Sequence, residues 1–352
     1  MMKKVYDIKI KDLESLLALL KENMHDNTVM IDVIRLEGYI TRLKNGFKNT
    51  DVTSVFEQIQ DDLEYHDFYK PFYPIVERFI FNGRSVEELD SEPRYKSIIL
   101  SDDQVLNDVL EFYGHQGELF YSQVLEFYNE AEDHLKFIGC SSHTEGESLL
   151  LKSVGEGFIF TPNYSNITKF TTLVHEVQHI IDFYINPDFS SEYVIRETIA
   201  MFMEMIAADY IANKYKLFDE GYKRQQAIYA IVKYQSHNVL YKTDALDIAS
   251  ENKELNQDEL FTLLDKEGFE QDDLEFYFDQ GITSDMAYQI AYLIAIELYL
   301  IYYKDKELAI KICEDIIING TSSNIFDLLD KYNINLNSGV TQYEEMIYKK
   351  RF

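Results

Sequence analysis

The distribution of proline limits what this chain can fold into. Its five prolines lie at positions 71, 74, 93, 162 and 187 of 352, so none follows Pro187. Long proline-free stretches with an apolar residue every three or four positions are typical of helices. The segments that fit are 13–21, 29–43, 52–65, 105–113, 119–137, 168–184, 192–210, 225–239, 260–264 and 284–303. The sequence therefore predicts a mainly α-helical protein.

The composition predicts a packed globular chain of one large or two smaller domains. Hydrophobic residues make up 46% of it and aromatic residues 14%, which is enough apolar surface for a sizeable core. Residues 1–104 contain no chemical motif, and Pro71, Pro74 and Pro93 interrupt their helices. We expect them to form an N-terminal helical lobe, with the chemistry in residues 105–352.

The charge balance bears on the partners of the chain. The chain has 62 acidic residues and only 33 basic ones, which gives a net charge of −29. Such a surplus argues against nucleic acid or an anionic membrane as a partner. A solvated acidic surface explains it, and a cleft that favours basic peptides is the alternative. The sequence leaves the oligomeric state open.

Three features predict a soluble cytoplasmic protein. The most apolar run, Ile290–Tyr303, is shorter than a membrane span and contains Glu297. Charged residues follow the initial methionines, where a secretory signal would have an apolar core. The only cysteines, Cys140 and Cys313, are far apart and match no metal-binding or redox spacing, which suits a reducing compartment.

A short apolar run, Phe158–Phe160, stands between Gly155-Glu-Gly157 and Pro162 and has the length of a β-strand. A strand edge beside a metal-binding helix can bind an extended peptide as an additional strand. A short buried linker fits the same residues equally well. The isolated histidines His115, His134 and His143 have no partner at ligand spacing, so we expect them to lie at the surface or to be hydrogen-bonded.

The segment Thr171–Asp182 contains the pattern His175-Glu176-x-x-His179. Histidines four residues apart lie on the same face of a helix, where both imidazoles can bind one metal ion. Glu176 then stands where a carboxylate can accept a proton from a water activated by that ion. A pair of hydrogen-bonded helix histidines beside a surface glutamate is the competing interpretation.

The next predicted helix supplies a third candidate ligand. A catalytic zinc takes three protein ligands and leaves one position open. Glu197 lies eighteen residues after His179, and Glu204 follows two turns later on the same face of an otherwise apolar helix. We predict that Glu197 binds the metal and that Glu204 or Asp182 bonds the outer N–H of a histidine. The reverse assignment, with Glu204 on the metal, remains an alternative.

These motifs resemble those of the oligopeptidase F and thimet oligopeptidase family of zinc peptidases. The resemblance covers about residues 105–336 and rests on four stretches: Gly157–Asn163 with Thr172–His179, Arg196–Tyr210, Ala287–Ala291 and Ile318–Leu329. It implies a mainly α, zincin-like fold with a small β element beside the active-site helix. It also implies Zn²⁺, peptide substrates and Glu197 as the metal ligand.

The chain departs from the family pattern at several places. Gln178 stands where the family has glycine, the interval from His179 to Glu197 is shorter, and the N-terminal lobe is much reduced. No residue clearly matches the family's late histidine, which helps to polarise the scissile carbonyl. Tyr288 and Tyr292 are the nearest candidates for that role, and both equally fit as core aromatic residues.

The sequence thus favours a zinc-dependent oligopeptidase in which Glu176 serves as the general base. The departures from the family motivate two alternatives. One is a catalytically weak or inactive peptide-binding protein that retains zinc, and the other is a helical scaffold without metal. Zinc content and peptide turnover separate the three.

Overall fold

The computed structural model describes residues 7–45, 54–64, 66–81, 84–90, 93–98, 100–139, 146–187, 193–278, 282–319, 325–336 and 339–349. The chain divides into two compact units. The first comprises Met1–Asn49, Pro93–Gln225 and Ile301–Asn333, and the second comprises Thr50–Glu92, Gln226–Leu300 and Ile334–Phe352. This division differs from the boundary at residue 104 that the sequence predicts, because residues 1–49 belong to the unit that contains His175.

Helices dominate the described residues, and three short strands accompany them. The helices are α1 (Ile10–Lys21), α2 (Asn27–Lys44), α3 (Val55–Leu63), α4 (His66–Tyr69), α5 (Tyr73–Phe81), α6 (Asp102–Gly114), α7 (Glu118–His134), α8 (Thr168–Ile185), α9 (Tyr193–Tyr215), α10 (Phe218–Ser250), α11 (Gln257–Lys266), α12 (Gln271–Tyr277), α13 (Ile282–Lys304), α14 (Lys306–Asn319), α15 (Ile325–Lys331) and α16 (Gly339–Lys349). The strands are β1 (Leu135–Ile138), β2 (Glu147–Leu151) and β3 (Glu156–Pro162), and single 3₁₀ turns lie at Lys70–Phe72 and Val86–Glu88. The predicted mainly α fold with a small β element is confirmed.

Several predicted helix boundaries differ from the observed ones, and two of the differences have a clear tertiary cause. Residues 135–137 continue a helical pattern in the sequence but form β1, because they pair with β3 from Leu135 opposite Ile159 to Ile138 opposite Pro162. Helix α10 does not stop at Val239 but continues to Ser250. Its polar extension still carries Ala245, Leu246 and Ala249 at helical spacing, and these side chains enter a hydrophobic core.

In the first unit, the three strands form a sheet in the order β1-β3-β2, with β3 parallel to β1 and antiparallel to β2. Residues Phe158–Phe160 therefore do form a strand. It is the central one, however, and its backbone is hydrogen-bonded on both sides. The prediction that these residues offer an edge to a peptide is wrong, and β2 is the edge strand that contacts α8.

The two faces of this sheet are covered by different helices because side chains alternate along a strand. Leu149, Leu151, Phe158 and Phe160 point to one face, where they form a core with apolar residues of α1 and α2. Helix α8 covers the opposite face. There, Gly157 lets the strand approach the helix so closely that a Cβ atom would lie 2.5 Å from Cδ1 of Ile180.

The second unit has a separate core in which α3, α10, α11 and α12 contribute buried apolar residues. The helix α13, which belongs to this unit up to Leu300, contains the segment Asp285–Lys304, which is long and apolar enough to span a membrane by length and composition. Within this segment, 72% of the apolar window is buried in the protein, as in the core helix of a soluble protein. Glu297 is accommodated there because its Oε1 accepts the backbone N–H of Gly339 at 2.6 Å.

Candidate metal centre

The two histidines of the His175-Glu176-x-x-His179 pattern lie one turn apart on α8, the helix that packs against both α9 and the sheet. Their rings meet edge to face, and the two Nε2 atoms are 3.2 Å apart. His175 is partly exposed, whereas 5% of His179 is accessible. Both rings therefore present a nitrogen to the same point at the edge of the buried helix.

Glu197 of α9 completes a group of three donors around this point. Its Oε2 lies 3.4 Å from Nε2 of His175, and its Oε1 lies 3.5 Å from Nε2 of His179. Ligand atoms of all three residues fall within 4.8 Å of one another. The structure thus brings together the three residues that the sequence predicts as metal ligands, although residues 188–192, which join the two helices, lie outside the described residues.

The geometry of this group fits a tetrahedral zinc ion. Nitrogen and oxygen donors that bind zinc at about 2.0–2.2 Å with tetrahedral angles lie about 3.3–3.5 Å apart. The two Nε2 atoms are 3.2 Å apart, and a different Glu197 oxygen faces each of them, Oε2 at 3.4 Å from His175 and Oε1 at 3.5 Å from His179, so each separation is close to this value. In addition, Oε2 of Glu197 is buried and accepts no hydrogen bond from the part of the chain that the structure describes. A buried carboxylate oxygen in this state favours a cation beside it.

The electrostatics of the group combine an ionised carboxylate with two different histidines, since contacts with Glu197 and Glu204 raise the pKa of His175 well above its usual value against the effect of burial. Burial alone would raise the pKa of Glu197, but its close contacts with the two histidines hold it well below its usual value, so the carboxylate is ionised at pH 7. For His179, burial lowers the pKa to about 4. This imidazole is therefore neutral at pH 7, which is the form that binds a metal.

Glu204 lies at the outer nitrogen of the first histidine, with its Oε2 3.3 Å from Nδ1 of His175. Its other oxygen, Oε1, accepts a hydrogen bond from the guanidinium of Arg224 on α10. Although burial opposes ionisation, the charge of Arg224 and the contact with His175 lower the pKa of Glu204 to about 2. Arg224 was not among the predicted site residues, because its position depends on how α10 packs beside α9.

Asp182 occupies a different environment from the one predicted. It is fully buried on α8, and its Oδ1 accepts a hydrogen bond of 2.5 Å from Nε2 of Gln178. No hydrogen bond joins it to either histidine of the pattern, and Nδ1 of His179 has no hydrogen-bond partner within the described ranges. Gln178 occupies the position at which the resembling family has glycine, and here its amide holds the Asp182 carboxyl group.

Glu176 lies between α8 and the edge strand β2. Only 5% of the residue is exposed, and this burial raises the pKa of its carboxyl group to about 7. Its Oε2 accepts a hydrogen bond of 2.6 Å from the hydroxyl of Ser148 on β2. A carboxylate with a pKa near neutrality can both accept and release a proton at physiological pH.

A second arginine also borders the candidate metal centre. A guanidinium nitrogen of Arg196 lies 3.1 Å from Oε1 of Glu197. The sequence shows Arg196 only as the neighbour of a predicted ligand, and adjacent residues of a helix usually point in different directions. Its contact with Glu197 is therefore a result of side-chain conformation that no sequence pattern signals.

The remaining predicted site residues belong to other elements. Tyr288 and Tyr292 belong to α13 of the second unit, where Tyr288 is partly buried and Tyr292 is 9% exposed. Their role in stabilising an oxyanion stays a prediction. His134 stacks on Phe158 and bonds the Gly157 carbonyl group at 2.9 Å, as expected for a structural histidine. Cys140, His143 and residues 320–324 lie outside the described residues.

Comparisons with known proteins show the fold. No protein-family model and no curated protein sequence matches the chain. The chain is similar to PZ peptidase A solved with an inhibitor (TM-score 0.57, 12% identity, 95% of this chain and 67% of that one). It is also similar to a protein of Bacillus anthracis str. Ames assigned provisionally as an oligoendopeptidase F (TM-score 0.55, 15% identity, 96% and 65%). A second provisional oligoendopeptidase F gives a TM-score of 0.53 at 13% identity, with 96% and 65% covered. The chain spans about two thirds of the length of these proteins, and it has the fold of the oligoendopeptidase F-like peptidases.

Proposed function

We propose that the chain is a zinc-dependent peptidase that hydrolyses short peptides. The observation that carries the proposal is the convergence of His175, His179 and Glu197, with the carboxyl group of Glu176 on the same helix as the two histidines. The shared fold with peptidases supports the class of reaction. When bound by the three ligands, zinc would supply Lewis-acid activation of water and of the scissile carbonyl group.

The proton transfers of this reaction belong to Glu176. Its carboxylate accepts a proton from the attacking water and then delivers this proton to the nitrogen of the leaving amine. Burial favours this dual role, because it brings the pKa to about 7. Outside the three ligands, the Glu204 carboxylate lies 3.3 Å from Nδ1 of His175, where it can hold the orientation of that ring, while Arg224 keeps Glu204 ionised.

Strand β2 is the part of the first unit that suits an extended peptide. Among the described residues it pairs only with β3, and it begins beside Glu176. A substrate that adds to this edge by main-chain hydrogen bonds would lie along the strand next to the catalytic carboxyl group. We also propose a cytoplasmic location, since a reducing compartment suits a chain with two cysteines far apart in sequence.

The test combines zinc content with peptide turnover. Purified protein should contain one zinc by elemental analysis and should cleave members of a quenched fluorescent peptide library. We expect Glu176→Gln to retain zinc and to lose turnover, because glutamine keeps the shape of the side chain but cannot accept the proton. The matched control is Glu111→Gln, which removes an exposed carboxylate paired with Lys214 on the same unit and should leave turnover unchanged.

Each outcome has one meaning. Full turnover in Glu176→Gln would show that another group is the base. Wild-type protein that binds zinc and peptide without cleavage would instead be a peptide-binding protein, and protein without zinc would refute the metal centre.

A further inference from the structure

Strand β2 and the residue that precedes it lie beside the Glu176 carboxyl group. On one side, Ser148 Oγ lies 2.6 Å from Oε2 and 3.1 Å from the backbone carbonyl oxygen of the same residue. The shorter distance is that of a hydroxyl bonded to an ionised carboxylate. The position of Ser148 is fixed by the sheet, since its backbone pairs opposite Ile159 of β3.

On the other side, Gly146, the residue before β2, leaves room for the other oxygen, Oε1. A Cβ atom at this position would be 2.6 Å from Oε1, 2.9 Å from Cγ of Glu176 and 2.8 Å from Cγ2 of Thr172. Three contacts below 3 Å would force the carboxyl group or the strand to move. The absence of a side chain at residue 146 is therefore a condition for the observed position of Glu176.

We infer that Ser148 is a positioning residue for Glu176, and that it assigns different tasks to the two carboxylate oxygens. Its hydroxyl donates a hydrogen bond to Oε2, and Oε1 is therefore the oxygen that exchanges the proton in the reaction. Gly146 leaves the space in which Oε1 stands. This inference rests on the proposed function, because it concerns the same carboxyl group.

The arrangement has a physical reason. An unbranched glutamate side chain on a helix has several rotamers, and a general base is effective only in the one that reaches its proton. A single charge-assisted hydrogen bond from a rigid strand selects one of them. The donor also makes the oxygen that it contacts less available to a second donor, which leaves the other oxygen for the reaction.

The first experiment compares Ser148→Ala with Ser148→Thr in peptide hydrolysis. Loss of a hydrogen bond to a charged group should lower kcat by about 10- to 100-fold, with KM within about twofold of wild type, since the substrate contacts are unchanged. Threonine keeps the hydroxyl and is favoured in strands, so Ser148→Thr should retain most of kcat. Ser122→Ala is the control, because the hydroxyl of that serine donates an exposed hydrogen bond to the Leu119 carbonyl of its own helix.

The second readout does not use activity. Unfolding of the zinc-free protein in urea is measured for wild type, Ser148→Ala, Glu176→Ala and the double variant. If the two side chains interact as observed, the effect of the double change on the unfolding equilibrium constant should differ by about tenfold from the product of the effects of the two single changes. Gly146→Ala should lower kcat with unchanged zinc content, because its Cβ atom displaces Oε1.

The outcomes separate this inference from the proposed function. Wild-type turnover in Ser148→Ala, or equal losses in the alanine and threonine variants, would overturn the positioning role. Additive effects on unfolding would show that the Ser148–Glu176 hydrogen bond does not exist. Absence of hydrolysis by the wild-type zinc protein would refute the proposed function. The comparison of urea unfolding among the four proteins would still show whether Ser148 and Glu176 interact.

Discussion

Removal of the Arg224 guanidinium is the perturbation that best tests the buried charges behind the candidate metal centre. Arg224 donates to Oε1 of Glu204, whose Oε2 lies 3.3 Å from Nδ1 of His175. The side chains of Arg224 and Glu204 are 14% and 8% exposed, so water cannot replace the arginine easily. Arg224→Met removes the charge and retains an unbranched side chain of similar length.

The expected magnitude follows from the pKa of Glu204, which the fold lowers from 4.5 to about 2. A shift of this size corresponds to about 3 kcal/mol of stability at pH 7, and loss of one partner from a buried ion pair costs about 3–5 kcal/mol. We therefore expect Arg224→Met to lower the free energy of unfolding by about 3 kcal/mol. Zinc affinity should also fall by about tenfold, because His175 loses a well-oriented partner.

The pH dependence has a definite sign. A carboxyl group whose pKa is lowered by folding stabilises the protein above its unfolded value, here 4.5, and this contribution is lost as the pH falls toward about 2. Below that range Glu204 is protonated in both states and no longer needs a cation. The difference between Arg224→Met and wild type should therefore be clearly smaller at pH 3 than at pH 7.

Urea unfolding of the zinc-free proteins in a chelator measures the effect without a contribution from the metal. Lys44→Met is the control, because it removes a cation from an ion pair with Glu14 in which both side chains are about half exposed. Such a pair is worth less than about 1 kcal/mol. If Arg224→Met cost no more than this control at pH 7, or if its cost did not depend on pH, the reasoning on the buried pair would be refuted.

Three further predictions concern buried positions of the two units. Leu36→Ala should lower the free energy of unfolding by about 2–5 kcal/mol in urea titration, since Leu36 is fully buried between α2 and the sheet. Gly157→Ala should destabilise the protein by about 1–3 kcal/mol, and Ile180→Val should restore part of this loss because it removes the Cδ1 atom that the new Cβ would meet. Burial lowers the pKa of Lys233 from 10.5 to about 8, so the unfolded chain binds more protons between these values and stability should rise with pH across this window. In Lys233→Met this rise should be absent from chemical denaturation curves.

Local patterns in the sequence were enough for most helices and for the central motif. The spacing of His175 and His179 fixes their common face wherever α8 forms, because helix geometry is local. The long apolar helix α13 was equally visible from its composition. Boundaries failed where tertiary contacts outweigh local preference: β1 is too short to show a period, and the polar end of α10 is helical because three of its residues enter a core.

The sequence by itself determined that one helix carries His175 and His179 on a common face and that Glu197 and Glu204 stand on one stripe of the following helix. Only the tertiary structure decided which atoms these residues offer to one another, because this depends on the packing of α9 against α8. The same holds for Arg196, Arg224 and Ser148, which carry no motif and reach the site from three different elements. Side-chain identity and helical spacing are encoded locally, whereas the partner of a buried charge depends on how distant elements of the chain pack together.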